Sequence, residues 1–193
     1  MLKNLFVVLL LIVALAAGFV ATRPSEFTIE RGRTMAAPPE VVFGYVNDFR
    51  QWQAWSPWEK LDPQLKREYS DPSAGPGATY HWVGNDKVGE GRMTITDSSA
   101  PDSVTIRLEF VKPFVATNVA HFDIAAGGLG TDVTWSMSGH NDFMAKAFSL
   151  FMDTDQLVGG DFEKGLEQLD AVTAAVPRAA PAPAPSEAPP AAE

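Results

Sequence analysis

The sequence DTDQLVGGDFEKGLEQLDAVTAAV, residues 153–176, predicts a long amphipathic α-helix. Its apolar and small residues recur at intervals of three and four, which places them on one side of a helix. They are Val158, Phe162, Gly165, Leu166, Leu169 and Val172. Charged and amide residues fall mostly on the opposite side, and the side-chain oxygens of Asp153 and Thr154 can cap the first turn. The rest of the chain must therefore cover the apolar side.

Two adjacent glycines, Gly159 and Gly160, lie inside this predicted helix. Each costs about 1 kcal/mol relative to alanine in a helix interior. Keeping both glycines predicts that another backbone approaches the helix closely. A curved sheet is the obvious candidate for that backbone.

The residues before the helix alternate between apolar and polar, as strands with one buried face do. The predicted inward positions are Tyr80, Trp82, Met93, Ile95, Val104, Ile106, Leu108, Phe110, Asn118, Ala120, Phe122, Ile124, Val133, Trp135 and Met137. The same alternation sends His81 and His121 outward. The runs follow one another too closely for helical crossovers, so the strands are predicted to be antiparallel. A sheet of this size must curl around the helix that follows it.

The first strand, Phe27–Met35, leaves the positions of two arginines open. Uninterrupted alternation puts Arg31 and Arg33 on the same face as Phe27. A bulge at Gly32 would instead turn the arginines out to solvent. Alternatively, one arginine lies inside a cavity as a buried charge and pairs with a ligand carboxylate or a buried acid.

Two short helices are predicted after this strand, the first from Ala37 and the second over Asp48–Trp55. They bring Trp52, Trp55 and Trp58 close together. An indole of this size buries on the order of 200 Å², so the cluster belongs either to the core or to the rim of a pocket. A further turn or two of helix with an apolar face is predicted within 140–152.

The composition excludes several classes of function. A net charge of -9 argues against a nucleic-acid partner, since binding to phosphates needs clustered Lys and Arg. The chain has no cysteine and only three histidines, and its carboxylates show no recognisable metal-ligand spacing. We therefore expect no metal and no cofactor.

The N-terminal residues 1–24 predict a membrane segment, because Leu5–Ala21 is an unbroken apolar run just long enough to span a bilayer. A cleaved signal peptide is the alternative, since residues 14–16 have a small-x-small pattern. Lys3 favours a globular domain outside the cytoplasm, although Arg23 weakens this orientation. A protein without the segment would be secreted or periplasmic. Residues 25–176 form the predicted domain, and the Ala/Pro-rich residues 177–193 are expected to be a disordered tail.

This order of elements resembles the START-like superfamily, also called SRPBCC, which includes polyketide cyclase and lipid-transport-like proteins. The resemblance covers about residues 27–171 and rests on short motifs in the same order and spacing. They are AAPPEVVF at 36–43, NDF at 47–49, SPWE at 56–59, GPGA at 75–78, VGEG at 88–91, GTDVTW at 130–135 and DFEKGL at 161–166. The resemblance implies an α+β helix-grip fold, in which a curved antiparallel sheet wraps around a long C-terminal helix.

The superfamily also implies a cavity between sheet and helix that binds small hydrophobic or lipid-like molecules. Its predicted lining here is Trp52, Trp55, Tyr80, Trp82, Met93, Leu108, Asn118, Phe122, Trp135 and Phe162. A membrane-tethered binding module is the first hypothesis, because this lining is apolar with few polar tips. One alternative is a cyclase or hydrolase that uses Tyr80, Asn118 or an inward arginine to polarise a carbonyl, although no general base is evident. The other is an interaction module of the cell envelope, suggested by the acidic composition and the tail.

Overall fold

The computed structural model describes residues 2–176, in which one sheet curves around one long helix. The sheet has seven antiparallel strands in the order β1-β7-β6-β5-β4-β3-β2. The strands are β1 Glu26–Met35, β2 Lys66–Tyr69, β3 Thr79–Val83, β4 Glu90–Ser99, β5 Ser103–Lys112, β6 Ala116–Gly127 and β7 Gly130–His140. The helices are α1 Leu2–Ala21, α2 Pro39–Asn47, α3 Trp52–Trp55, α4 Phe143–Phe148 and α5 Thr154–Ala174, with a 3₁₀ turn at Pro57–Lys60. The α+β helix-grip fold is confirmed. The predicted tail, 177–193, lies outside the described residues.

The antiparallel pairing gives the sheet two distinct ends. Phe110 pairs with Ala116, Asn118 with Gly139 and Glu26 with His140. The start of β1, the β5–β6 connection and the end of β7 therefore lie together, and we call this the proximal end because α1 leads into it. The β6–β7 turn lies at the opposite, distal end. Both α4 and the start of α5 follow the end of β7.

Helix α5 covers the concave face of the sheet, as its periodicity predicts. Phe162, Leu166 and Leu169 are buried. Asp153 caps the helix by accepting a hydrogen bond from the backbone N–H of Gln156 at 3.0 Å. A Cβ at Gly165 would lie 2.7 Å from Cζ3 of Trp135, so this glycine lets the helix approach the indole closely.

The second short helix is shorter than predicted. It begins at Trp52 rather than Asp48, because Asp48 forms an isolated β-bridge with Ala74. The indole N–H of Trp52 donates to the carbonyl of Val46 at 2.9 Å, and that of Trp55 donates to Tyr45 at 3.2 Å. These bonds fasten α3 to the end of α2 and satisfy both buried N–H groups.

The bulge expected at Gly32 is absent, since β1 pairs with β7 without a register shift from Glu26 to Met35. Both arginines therefore share a face with Ile29 and Met35, and both pair with α5. Arg31 donates to Glu163 at 2.9 Å and to Asp155 at 3.0 Å, and Arg33 donates to Asp170 at 3.0 Å. The arginines fasten α5 to the edge strand.

Neither arginine is the buried cavity charge that the sequence left open. The Arg31 side chain keeps 24% of its surface exposed, and Arg33 is more exposed still. Asp155 and Glu163, the carboxylate partners of Arg31, are largely exposed, whereas Asp170, the partner of Arg33, keeps 22% of its side-chain surface exposed. The hydrogen bond from Arg31 lowers the pKa of the Asp155 carboxyl below its ordinary value.

The close approach at Gly159 is made by a side chain and not by a backbone. A Cβ at Gly159 would overlap the guanidinium of Arg31, whereas a Cβ at Gly160 would meet nothing within 4 Å. The two glycines thus play different parts. Gly159 leaves room for the arginine that holds α5, and Gly160 has no neighbour that excludes a methyl group.

We expect Gly160→Ala to stabilise the domain by about 1 kcal/mol, since alanine is the better helix former. Gly159→Ala should give none of this gain, because its methyl group displaces Arg31 from Asp155 and Glu163. Urea unfolding of both variants, followed by tryptophan fluorescence, measures the difference. Equal stabilisation by the two substitutions would show that the arginine contacts contribute nothing.

Helix α1 differs from the other long elements in that it is not packed against the domain along its length. Its Lys3–Ala21 segment is long and apolar enough to cross a membrane, and nearly all of it is exposed. Only Val20, near its end, is buried, and α1 contacts α4.

Candidate functional site

Half of the predicted lining residues pack on one another as an aromatic core. Trp135 is stacked between Phe122 and Phe162, with ring centroids 4.9 Å and 4.0 Å away. Trp52 and Trp55 pack against each other at 4.6 Å, and both contact Phe122 and Trp135 edge to face. All five side chains are buried. Rings in contact at these distances fill this part of the space between sheet and helix.

Tyr80 belongs to a buried polar network. Its hydroxyl donates to one carboxylate oxygen of Glu59 at 2.6 Å, and Nε of Arg67 donates to the other at 2.6 Å. The ring of Tyr69 stacks on Tyr80 at 4.9 Å. Burial, together with the hydrogen bond to Glu59, raises the pKa of Tyr80 above its ordinary value. Tyr80 is thus a neutral donor to a structural carboxylate, and it lies apart from the pocket described below.

Sequence reasoning missed Glu59. Its side chain is only 5% exposed and joins the 3₁₀ turn to β2 and β3. The residue stands in the motif SPWE, where nothing in its spacing distinguishes it from a solvated glutamate. The bends that bring Arg67 and Tyr80 to its carboxylate are tertiary features.

Trp82, Met93, Leu108 and Asn118 line the proximal part of the concave face. Burial decreases in this direction, since Val104 and Ile106 are fully buried whereas Leu108 and Phe110 are only partly so. Asn118 is buried, and its amide N–H lies 3.7 Å from the sulfur of Met137. The concave face thus passes from a filled distal half to a less covered proximal half.

A pocket of about 510 Å³ opens at the proximal end, between the first half of β1 and the connection from α4 to α5. Its volume lies within the usual range for small-molecule sites. Apolar walls come from Phe27, Ile29, Leu150, Phe151 and Met152, and polar groups from Arg23, Thr28, Asn141, Ser149, Asp153, Thr154 and Asp155. None of the lining residues predicted from sequence is among them.

The charged groups of the pocket have different partners. Asp155 is paired with Arg31, and Asp153 caps α5. The guanidinium of Arg23 lies 5.9 Å from the ring centroid of Phe19, and no carboxylate within residues 2–176 forms an ion pair with it. The pocket therefore offers a positive charge beside an apolar wall. Such an arrangement suits an amphipathic molecule with an acidic or polar head.

Comparison with known protein families identifies the family of this chain. The family model described as polyketide cyclase/dehydrase and lipid transport matches residues 26–174. The chain belongs to this family. The match covers the whole sheet and α5 and excludes α1. A comparison with curated proteins finds no match.

Solved structures of this family's fold are similar to the chain at low sequence identity. Protein Ms6760 from Mycobacterium smegmatis has a TM-score of 0.54 and 23% identity, over 77% of this chain and 91% of its own. Ara h 8.0201 is another, with a TM-score of 0.55 and 13% identity, over 78% of this chain and 99% of its own. The di-domain ARO/CYC StfQ from the steffimycin biosynthetic pathway has a TM-score of 0.58 and 9% identity over 78% and 51%. These similarities show the fold alone.

Proposed function

We propose that this family member is a membrane-tethered binding module for a small hydrophobic or lipid-like ligand. The ligand occupies the proximal pocket, with its apolar part against Phe27, Ile29 and Leu150 and its polar end near Arg23. The observation that carries the proposal is the pocket itself, an opening of about 510 Å³ with one apolar wall and with Arg23, which forms no ion pair within residues 2–176. The family, described as polyketide cyclase/dehydrase and lipid transport, supports the same class of ligand.

The distribution of packing supports a ligand site in the proximal pocket rather than deep under α5. The distal half of the concave face is filled by Trp52, Trp55, Phe122, Trp135 and Phe162. A guest there would have to displace stacked rings, at a cost comparable to opening a cavity in the core. The proximal end needs no such displacement.

The chemistry of the pocket favours binding over reaction. Asp155 is held in an ion pair and Asp153 in a helix cap, so neither is a free base within the pocket. Tyr80, which the enzyme hypothesis invokes to polarise a carbonyl, donates its hydroxyl hydrogen bond to Glu59 instead. Catalysis by general acid and base needs a group within hydrogen-bonding reach of the substrate. We therefore rank the cyclase or hydrolase alternative below binding.

Tethering rests on α1, which has the length and composition of a spanning helix. A single such helix near an N-terminus also fits a signal sequence. Its contact with α4 favours a retained anchor, since cleavage after residue 16 would remove most of α1. We propose that the folded domain lies outside the cytoplasm.

Native mass spectrometry of the full chain, extracted in lipid nanodiscs, tests the function. We expect an adduct on the wild-type chain that is released on denaturation, and a weaker adduct in Leu150→Trp, whose indole narrows the pocket. Leu129→Trp is the matched control, because Leu129 lies in the distal β6–β7 turn and is 91% exposed. The denatured mass also shows whether residues 1–16 are retained.

Three results would contradict the proposal. A bare mass after incubation with lipid extracts would show that the pocket takes no such ligand. Equal adducts on both tryptophan variants would place bound lipid outside the pocket. A protein partner that stays bound to Leu150→Trp would favour the interaction module.

A further inference from the structure

The exposed apolar side chains of the domain gather at the proximal end. Two of the most exposed are Val115, at 85%, and Phe151, at 87%. We call this group the apolar collar. It consists of Phe114, Val115, Phe143, Met144, Phe148, Leu150, Phe151, Met152 and Leu157. Outside α1, few other large apolar side chains in residues 2–176 are exposed. Soluble surfaces rarely present such a contiguous apolar patch unless something binds it.

The collar is an ordered surface. Asp142 caps α4 by accepting a hydrogen bond from the backbone N–H of Ala145 at 2.8 Å. Yet α4 has no buried residue, although phenylalanines stand at both of its ends. The ring of Phe114, from the β5–β6 connection, lies 5.9 Å from that of Phe148. Two separate segments thus present one apolar surface.

The position of α1 identifies what covers the collar. The exposed segment Lys3–Ala21 is long and apolar enough to cross a bilayer, and α1 contacts α4. Only Thr22–Ser25 separate α1 from β1, and a connection of that length spans at most about 14 Å. The proximal end therefore cannot move far from the membrane surface. The environment that covers α1 lies next to α4.

The charges fit insertion at the interface. The chain is acidic overall, so anionic headgroups do not attract the domain as a whole. At the proximal end, however, Arg23 and Lys146 stand beside the collar, whereas the nearby Lys112 is ion-paired with Glu90 at 2.7 Å. Long basic side chains can reach the headgroups while neighbouring apolar residues enter the acyl boundary.

We propose that the apolar collar docks into the interface of the same bilayer that holds α1. The domain then sits with its proximal end on the membrane, and Leu150, Phe151 and Met152, which wall the pocket, face lipid. A ligand would pass between bilayer and pocket without crossing water. This inference rests on the proposed anchoring by α1 and does not depend on which ligand is bound.

The absence of cysteine from the chain makes the test direct. Val115→Cys, Phe151→Cys and the distal control Leu129→Cys are each labelled with an environment-sensitive fluorophore. The full chain is reconstituted in vesicles of phosphatidylcholine and phosphatidylglycerol. Flotation of the vesicles reports anchoring. Quenching by nitroxide-bearing lipid and by aqueous iodide reports docking.

We expect all three variants to float with the vesicles. Labels at 115 and 151 should be quenched several-fold more by lipid nitroxide than the label at 129, and iodide should show the reverse order. Adding Phe143→Glu and Phe148→Glu should expose the label at 115 to iodide, since both charges lie on the collar.

Other outcomes overturn the inference in distinguishable ways. Floating chains with all three labels open to iodide would leave anchoring intact and refute docking. Chains that do not float would refute anchoring and, with it, docking. Labels at 115 and 151 that are shielded from both quenchers would mean that protein covers the collar, either a second copy or residues 177–193, which also refutes docking on lipid.

Discussion

Phe162→Ala is expected to destabilise the domain by about 3–5 kcal/mol, the usual cost of removing a buried aromatic ring. Phe162 is the residue of α5 that stacks on Trp135, with centroids 4.0 Å apart and planes 6° from parallel. Its ring also meets Trp58 edge to face at 6.4 Å. The space left behind cannot collapse easily, because Gly165 already brings the helix against the indole. A loss of this size is a large part of the stability of an ordinary domain.

Urea unfolding of the full chain in nanodiscs, followed by tryptophan fluorescence, measures this loss. The probe is well placed, since all five tryptophans belong to the domain. Glu167→Ala is the control on the same helix, because Glu167 is exposed, lies outside the apolar collar and should change stability by less than about 0.5 kcal/mol. A loss at Phe162 no larger than that at Glu167 would show that the concave face is not packed around this ring. The filled distal half, and the argument that moves the ligand to the proximal pocket, would then fail.

Glu59→Leu is expected to cost about 3 kcal/mol, toward the lower end of the range for removing one partner of a buried ion pair. The substitution leaves the guanidinium of Arg67 and the hydroxyl of Tyr80 without their acceptor. The Arg67 side chain is partly exposed and can turn toward water, which limits the loss. The Tyr80 hydroxyl is more deeply buried and has no such route.

The controls separate charge from packing. Glu59→Gln keeps an acceptor but removes the charge, so its loss of stability should lie between zero and that of Glu59→Leu. Glu68→Gln neutralises an exposed glutamate next to Arg67 in sequence and should be nearly neutral, because its only ion pair within residues 2–176 is with His81 at 3.5 Å. If Glu59→Leu proved as stable as the wild type, the network would be dispensable. The Tyr80 hydroxyl would then be free to polarise a substrate carbonyl, as the enzyme hypothesis requires.

The sequence-based site and the proximal pocket differ in where the structure leaves open space. Alternation correctly put Trp135, Phe122 and Asn118 on the inner face, since the side-chain period of a strand is local. Whether inner-face residues enclose a cavity or fill it depends on how far α5 descends into the sheet. That distance is set in part by Gly165, whose neighbour Trp135 is remote in sequence.

The proximal pocket could be predicted only in fragments. The sequence predicts a helical turn with an apolar face within 143–152, but it does not predict that this face is exposed. A helix packed on the core would show the same spacing of apolar residues. In the sequence, Arg23 is recognisable only as a charge that flanks the membrane segment. Its place in the pocket wall follows from the short connection between α1 and β1.

The sequence by itself determined the order of the elements, the inward and outward faces of the strands, the long helix and its cap, and the apolar N-terminal segment. Each of these depends on a repeat or a cap within a few residues of the chain. Only the tertiary structure decided that Arg31 fills the space beside Gly159, that Glu59 joins Tyr80 to Arg67, and that the open volume lies at the proximal end. These features bring together residues that are distant along the chain, and local periodicity carries no information about such distances.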